Sequence, residues 1–228
     1  MEKRRDSATA YIILADGFET IEALTPLDVL RRCGVEVTTI SLNKTRAVRS
    51  SHGVTVEADA TMEDFMHNCN CSASGTGTGT STSNAGSSTG ASDTNTTAST
   101  STNVSGTMRQ ALILPGGYPG YKNLCESAEV GALITQFHKE GKLLCAICGA
   151  PTALKANQIC RGAAITCHTS VKEELSDYYS ILSSAVVKYM NIITGMGAGR
   201  SLDFAFAIAE SLTSKEKVEE IKAKMEII

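Results

Sequence analysis

The sequence has no long apolar run and no strong excess of charge of either sign. Its 228 residues carry a formal net charge of −3, which does not indicate a basic surface for nucleic acid. No apolar stretch approaches the roughly 20 residues that a membrane-spanning helix needs. The first apolar stretch, at 11–14, is too short for the hydrophobic part of a secretion signal. We therefore predict a cytoplasmic protein that binds neither nucleic acid nor membrane.

Residues 72–107 differ from the rest of the chain in composition. They are nearly all Ser, Thr, Gly, Ala and Asn, and Asp93 is their only charge. Such a segment cannot bury enough apolar surface to offset the entropy of ordering it. We predict a disordered surface insertion within a single domain over residues 8–228. Glycosylation sequons begin at Asn95 and Asn103, and without a secretion signal we expect them to be unused.

Short apolar runs alternate with amphipathic segments outside the insertion. The predicted strands are 11–15, 35–41, 54–58, 111–114, 143–147 and 190–194, and the predicted helices are 21–33, 128–139, one from 149, 201–212 and 215–224. This alternation predicts an α/β fold with a doubly wound, mainly parallel sheet and helices on both faces. In such sheets, functional sites form beyond the carboxyl ends of the strands.

Three unusual motifs follow predicted strands. They are ADGFETIEALTP at 15–26, LPGGYPG at 114–120 and CAICGAPTAL at 145–154. Because the carboxyl ends of parallel strands meet at one edge of a sheet, we expect the three motifs to form one site.

The third motif places Cys145 inside a strand and Cys148 at the corner between that strand and a helix. Gly149 and Ala150 leave room for a sharp turn, as in a nucleophile elbow. The amides and dipole at the start of the helix should favour the thiolate of Cys148. Cys148 is therefore the reactive candidate and Cys145 a core residue. A purely structural thiol, a redox pair and a metal half-site remain alternatives, although no second C-x-x-C completes a zinc site.

The other candidate groups each have a structural alternative. The backbone N–H groups of Gly116 and Gly117 could bind an oxyanion, or could belong to an ordinary glycine turn. Glu19 and Glu22 lie three apart at a helix start, where the helix dipole favours carboxylates in any case. A carboxyl beside a thiolate would be held protonated and could donate a hydrogen bond or move protons. His168 follows another short strand and is either structural or part of the site.

Four blocks of the sequence resemble the ThiJ/PfpI superfamily, in particular its DJ-one branch. The blocks are LADGFETIEALTPLDVLRR, ALILPGGYPGYKNLCES, AICGAPTAL and ITGMGAGRSLDFAFAI, and the resemblance covers nearly the whole chain except 72–107. It implies a flavodoxin-like fold, also called class-I-glutamine-amidotransferase-like, usually found as a homodimer. It implies no cofactor and no metal.

The resemblance also implies roles for individual residues. Cys148 is the nucleophile and is readily oxidised to the sulfinate, Glu22 is a protonated glutamate bonded to it, and His168 lies near the pocket. The further residues implied are the oxyanion or binding residues Gly116, Gly117 and Gly149, and Glu19 as a second acidic position. The protease-like branch has a histidine where this chain has Gly149, which argues against a Cys-His peptidase and against glutamine amidotransfer. His52 stands where the DJ-one branch often has an arginine.

The function that this resemblance implies is cofactor-free chemistry on a small dicarbonyl. It would be a glyoxalase that turns methylglyoxal into lactate, or a deglycase acting on early glycated adducts. One alternative is a redox sensor or chaperone that responds to oxidation of Cys148. A protease or a thiazole-biosynthesis enzyme is the lesser alternative.

Overall fold

The computed structural model describes residues 8–68 and 109–227. Within them the strands are β1 (Thr9–Leu14), β2 (Glu36–Ser41), β3 (Ala47–Arg49), β4 (Thr55–Glu57), β5 (Ala60–Thr61), β6 (Gln110–Leu114), β7 (Leu143–Ile147), β8 (Ala164–Ile165), β9 (Ser180–Ile181), β10 (Val186–Tyr189) and β11 (Ile192–Gly195). The helices are α1 (Thr20–Arg32), α2 (Met62–Asn68), α3 (Gly120–Glu126), α4 (Ala128–Lys139), α5 (Pro151–Ala156), α6 (Lys172–Ser176), α7 (Ser201–Leu212) and α8 (Lys215–Lys224). The predicted insertion at 72–107, with both sequons, lies outside the described residues.

The main sheet has seven strands in the order β10-β11-β7-β6-β1-β2-β5. All its pairings are parallel except that of β10 with β11. Strands β3 and β4 form a separate hairpin, and β8 pairs with β9 in a small parallel sheet. The predicted α/β, flavodoxin-like fold is confirmed.

Two hydrophobic clusters cover the two faces of this sheet. Successive side chains of a strand point to opposite faces, so Ile12 and Leu14 of β1 belong to one cluster and Ile13 to the other. Buried residues of α1, α7 and α8 complete the first cluster, whereas those of α4, α5 and α6 complete the second. The helices therefore lie on both faces, as the alternating sequence pattern predicts.

Most predicted elements are confirmed, with differences at their ends. Helices α4, α7 and α8 and strand β7 have the predicted bounds. Met190 was predicted in a strand, but it has φ 51° and lies between β10 and β11. Helix α1 continues through Pro26, which lies in its interior. Short elements such as α3 were not predicted because seven residues give too little periodicity.

The carboxyl ends of β1, β6 and β7 meet at one edge of the sheet. Ile12 is in register with Ile113, and Leu114 with Ala146. From β1 the chain proceeds to β2 on one side, whereas from β6 it proceeds to β7 on the other, so the strand order reverses between β1 and β6. Ligand sites in open α/β sheets form at this reversal. No helix among the described residues is long and apolar enough to cross a membrane.

Candidate active site

Cys148 follows β7 in a backbone conformation that residues other than glycine rarely adopt. Its φ is 65°, in the left-handed region. Its N–H donates a hydrogen bond to the Gly195 carbonyl at 3.0 Å, and its carbonyl accepts one from the His168 N–H at 2.9 Å. Both distances are typical of backbone hydrogen bonds. These two bonds hold the strained turn between β11 and the segment before α6. Helix α5 begins only at Pro151, slightly later than predicted, because 148–150 form the turn.

Glu22 places a carboxyl group in the interior beside this cysteine. The residue is fully buried, and its Oε2 accepts a 2.8 Å hydrogen bond from the Gly116 N–H. Its Oε1 is buried and has no nitrogen or oxygen partner among the residues that the structure describes. Burial raises the pKa of Glu22 to about 7, although hydrogen bonds to Cys148 and Gly116 oppose the increase. Glu22 therefore holds its proton to near neutral pH and can donate it.

Burial and the neighbouring Glu22 carboxylate both disfavour ionisation of the Cys148 thiol. Burial raises the pKa of Cys148 to about 12, and the neighbouring Glu22 carboxylate contributes to the increase. Backbone N–H groups of Gly117 and Gly149 act in the opposite direction. The sequence-based expectation that the helix start makes the thiolate favourable is therefore corrected: burial outweighs it. The two groups are coupled, and the negative charge of ionised Glu22 makes the thiolate less favourable than burial alone would.

Gly116 lets these two side chains converge. A Cβ at this position would lie 2.6 Å from Glu22 Oε2 and 2.7 Å from Cys148 Cβ, closer than real Cβ atoms come. The N–H of Gly116 is bonded to Glu22, so donation to a substrate oxyanion, its predicted role, would require that bond to be exchanged.

Gly117 and Gly149 supply the backbone N–H groups that hydrogen-bond to the Cys148 sulfur. The Tyr121 ring covers Gly149, since a Cβ there would lie 2.7 to 2.9 Å from three of its ring atoms. Tyr121 belongs to α3, and no sequence motif marked it as part of the site. The oxyanion roles of the glycines remain predictions.

His168 is exposed and lies beside the turn through its backbone. Its Nδ1 accepts from the Ser170 N–H at 3.2 Å and lies 2.8 Å from Ser170 Oγ. An accepting Nδ1 places the proton of the neutral ring on Nε2. The catalytic role of His168 remains a prediction.

Glu19 forms a small polar cluster with the residues that follow β3. Its Oε2 accepts from Ser51 Oγ at 3.3 Å and lies 3.4 Å from His52 Nδ1. The negative charge of Glu19 also contributes to the raised pKa of Glu22. Ser51 was not predicted, because it is distant in sequence from every motif.

Cys145 is a core residue, as predicted. It is fully buried in the first cluster, and its burial raises its pKa far above the ordinary value. Both Cys145 and Cys148 are free thiols. Within 8–68 and 109–227, no three His, Cys, Asp or Glu side chains are placed to hold a metal ion.

A cysteine on a strained turn after a central parallel strand, beside a buried acid, defines an α/β protein of the nucleophile-elbow type. The DJ-1/PfpI family model matches residues 8–211. The chain belongs to this family, which confirms the resemblance found in the sequence.

Relatives from two animals illustrate this membership. Protein dj-1beta of Drosophila melanogaster is 32% identical over 216 residues, which cover 94% of this chain and 95% of that protein. The crystal structure of Drosophila melanogaster DJ-1beta matches with a TM-score of 0.77 at 30% identity, covering 97% of this chain and 99% of that one. The glutathione-independent glyoxalase DJR-1.2 of Caenorhabditis elegans is 38% identical over 107 residues, 46% of this chain and 56% of that protein.

Proposed function

We propose that this protein is a cofactor-free, cysteine-dependent glyoxalase that converts methylglyoxal to lactate, with early glycated adducts as related deglycase substrates. The observation that carries the proposal is the pairing of Cys148 with Glu22, a fully buried acid whose pKa is raised to about 7. A carboxyl that titrates near neutral pH is suited to general acid–base catalysis. The Caenorhabditis elegans relative named as a glutathione-independent glyoxalase supports the same chemistry.

The reaction begins with addition of the Cys148 sulfur to the aldehyde carbon of methylglyoxal. The sulfur–carbon bond forms, the carbonyl oxygen takes up a proton, and a hemithioacetal results. A base then removes the proton from this carbon to give an enediolate. A proton is delivered to the neighbouring carbon, and the hydroxyl proton of the first carbon passes to the neighbouring oxygen. This internal redox step gives a thioester, which water cleaves to lactate and the free thiol.

Two groups are candidates for moving these protons. Glu22 is placed beside the sulfur, and its Oε1 has no nitrogen or oxygen partner among the described residues. His168 is held at the turn through its backbone, and its Nδ1 accepts from the Ser170 N–H, which leaves Nε2 as the ring nitrogen with the N–H. The N–H groups of Gly117 and Gly149 would stabilise developing negative charge on oxygen.

The test measures methylglyoxal consumption and lactate formation without glutathione. Cys148→Ala should lower kcat/KM by about a thousandfold or more, because nucleophile and proton partner act as a unit. The matched control is Cys125→Ala, which removes another partly buried thiol and should retain wild-type turnover. Equal turnover in Cys148→Ala and wild type would contradict the proposal.

A second candidate function is redox sensing through Cys148, with a chaperone or regulatory role for the protein. Protonated Glu22 and the amides of Gly117 and Gly149 could donate hydrogen bonds to a sulfinate at Cys148. Mild peroxide followed by intact-mass and peptide analysis should then show a selective gain of two oxygens at Cys148. Indiscriminate oxidation of all cysteines would contradict this candidate.

The homodimer and the cytoplasmic location remain predictions from the sequence. Light scattering coupled to size-exclusion chromatography tests the former: a monomer mass at micromolar concentration would contradict it.

A further inference from the structure

A second cysteine pairs with a histidine at the opposite edge of the sheet from Cys148. His138 lies in the last turn of α4, directly ahead of the amino end of β7, whereas Cys148 follows the carboxyl end of that strand. Cys160 lies between α5 and β8. Its sulfur is 3.7 Å from Nε2 of His138, although the two residues are 22 positions apart in sequence.

The imidazole of His138 makes a polar contact with the Cys160 sulfur through Nε2. Its Nδ1 is buried and has no hydrogen-bond partner within the described part of the chain. A buried nitrogen lone pair is easier to leave unpaired than a buried N–H, so the neutral ring carries its proton on Nε2. In this tautomer Nε2–H donates to Sγ of Cys160, and a hydrogen bond of this kind favours the thiolate over the thiol.

The backbone and surroundings of Cys160 also differ from those of an ordinary core cysteine. Its φ is 47°, in the left-handed region, and its side chain is only partly buried. The exposed Arg161 follows it, with its guanidinium 5.6 Å from the centre of the Tyr178 ring. Tyr179 is the other titratable neighbour, with its hydroxyl bonded to the Ile159 carbonyl. The partial burial of Cys160 and the exposure of Arg161 leave this part of the surface open to solvent and to small reagents.

We propose that Cys160 and His138 form a second thiol-modification site, which reacts with small electrophiles and, among oxidants, with hydroperoxides. His138 acts as a positioning and hydrogen-bonding residue, and Cys160 is the group that reacts. The site is separate from Cys148, so this inference does not depend on the proposed function.

The oxidation step balances with peroxide as the only co-reactant. The thiol of Cys160 first loses its proton to solvent. The thiolate sulfur then attacks one peroxide oxygen, the S–O bond forms and the O–O bond breaks. Hydroxide leaves and combines with the proton that the thiol released to give water, and the sulfur is oxidised to the sulfenic acid as the peroxide is reduced. Burial raises the pKa of Cys160, and a hydrogen bond donated by Nε2–H of His138 would act in the opposite direction.

The experiment measures iodoacetamide labelling of each cysteine in the full chain by peptide mass spectrometry, from pH 6 to pH 10. Cleavage after Lys155 and Arg161 isolates Cys160 in its own peptide. Cys125 is the internal control, because it is partly buried and its sulfur contacts the Thr152 carbonyl instead of an imidazole. Fully buried Cys145 should stay unlabelled and so reports that each variant is folded.

In wild type, Cys160 should label faster than Cys125 near pH 7. His138→Phe removes the N–H donor and should slow labelling of Cys160 about tenfold, which corresponds to one unit of thiol pKa. The labelling rates of Cys160 in wild type and in His138→Phe should converge near pH 10. A histidine with only a structural role would not cause this change in the pH profile. Dilute peroxide should add oxygen to Cys160 more slowly in the variant.

Two results would overturn the inference: labelling of Cys160 no faster than that of Cys125, or an unchanged pH profile in His138→Phe. If Cys145 becomes labelled in His138→Phe, that variant is not properly folded, and His138→Gln, which keeps an N–H donor, is tested instead. It should shift the profile in the same direction and by less, and an unchanged profile there overturns the inference as well.

Discussion

Cys148 and Cys160 both have a positive φ, and both lie beside a titratable side chain, but the two sites are built differently. The partner of Cys148 is Glu22, a fully buried acid that is also bonded to the Gly116 N–H. The partner of Cys160 is a half-buried imidazole at the end of a helix. Glu22 lies in the interior beside its thiol and the backbone N–H groups of the turn, whereas His138 contacts its sulfur from the last turn of a helix, beside a partly buried side chain. The first arrangement therefore suits proton transfer during turnover, and the second suits modification without turnover.

The substitution expected to separate the two sites most strongly is Gly116→Ala, which should disrupt the Cys148 site and leave the Cys160 site intact. The new Cβ would displace Glu22 or Cys148, so turnover of methylglyoxal should fall by about a hundredfold or more, since small misplacements of reacting groups are costly. Overpacking should also lower the free energy of unfolding by about 1–3 kcal/mol. Steady-state kinetics and thermal unfolding measure the two effects.

Gly199→Ala is the matched control, because a Cβ there would meet no atom within 4 Å. Labelling of Cys160 should be the same in both variants. Equal turnover in the two alanine variants would show that the convergence at Gly116 does not matter for activity.

The next effect is the pH dependence of stability that Glu22 creates. Its pKa in the folded protein, about 7, is above the ordinary 4.5, so the folded state prefers the protonated acid. The stability that this preference contributes is complete below pH 4.5 and is lost as the pH rises through about 7. Relative to Glu22→Gln, wild type should lose up to about 3 kcal/mol over this window, measured by urea unfolding at several pH values.

Glu129→Gln serves as the control with the opposite sign. Hydrogen bonds from its own backbone and from Ser127 lower the pKa of Glu129, so its contribution is lost as the pH falls. A difference between wild type and Glu22→Gln that does not vary from pH 4.5 to pH 7.5 would mean that folding does not raise the pKa of Glu22.

The smallest expected effect concerns Cys160 itself. Glycine adopts φ 47° without the steric penalty of an L side chain, so Cys160→Gly should relieve strain. The gain should be under about 1 kcal/mol, because the contact with His138 is lost as well. Denaturant unfolding measures it.

Gln158→Gly is the comparison, since Gln158 has φ 57° and an exposed side chain. Gln158→Gly should raise the free energy of unfolding by more than Cys160→Gly does. The difference between the two gains measures what the Cys160 side chain contributes to stability. A larger gain from Cys160→Gly would mean that the contact with His138 contributes nothing to folding.

Particular elements show how far the sequence can be used for prediction. The short apolar runs of β1, β6 and β7 and the periodic pattern of α4, α7 and α8 predicted these elements because local pattern and burial agree there. Cys148 and Glu22 could be singled out because each lies in a motif that follows a strand. Tyr121 and Ser51 could not, since the former contacts Gly149 only through the packing of α3 and the latter reaches Glu19 from the β3–β4 connection.

The ionisation of the site also required the structure. The motif around Cys148 indicates amides near the sulfur, and these amides do lower its pKa. Sequence cannot measure burial, however, and desolvation is the larger effect for both Cys148 and Glu22.

The sequence by itself determined the fold class, the family and the strand-to-helix turn that carries Cys148, because these follow from local periodicity and motifs. Only the tertiary structure decided which groups share a proton. Glu22 meets Cys148 across Gly116, and His138 meets Cys160 across 22 positions of chain, because the parallel sheet and the helices packed on it bring distant residues together. The energy of such a pair depends on distance and desolvation, which no single segment of the sequence contains.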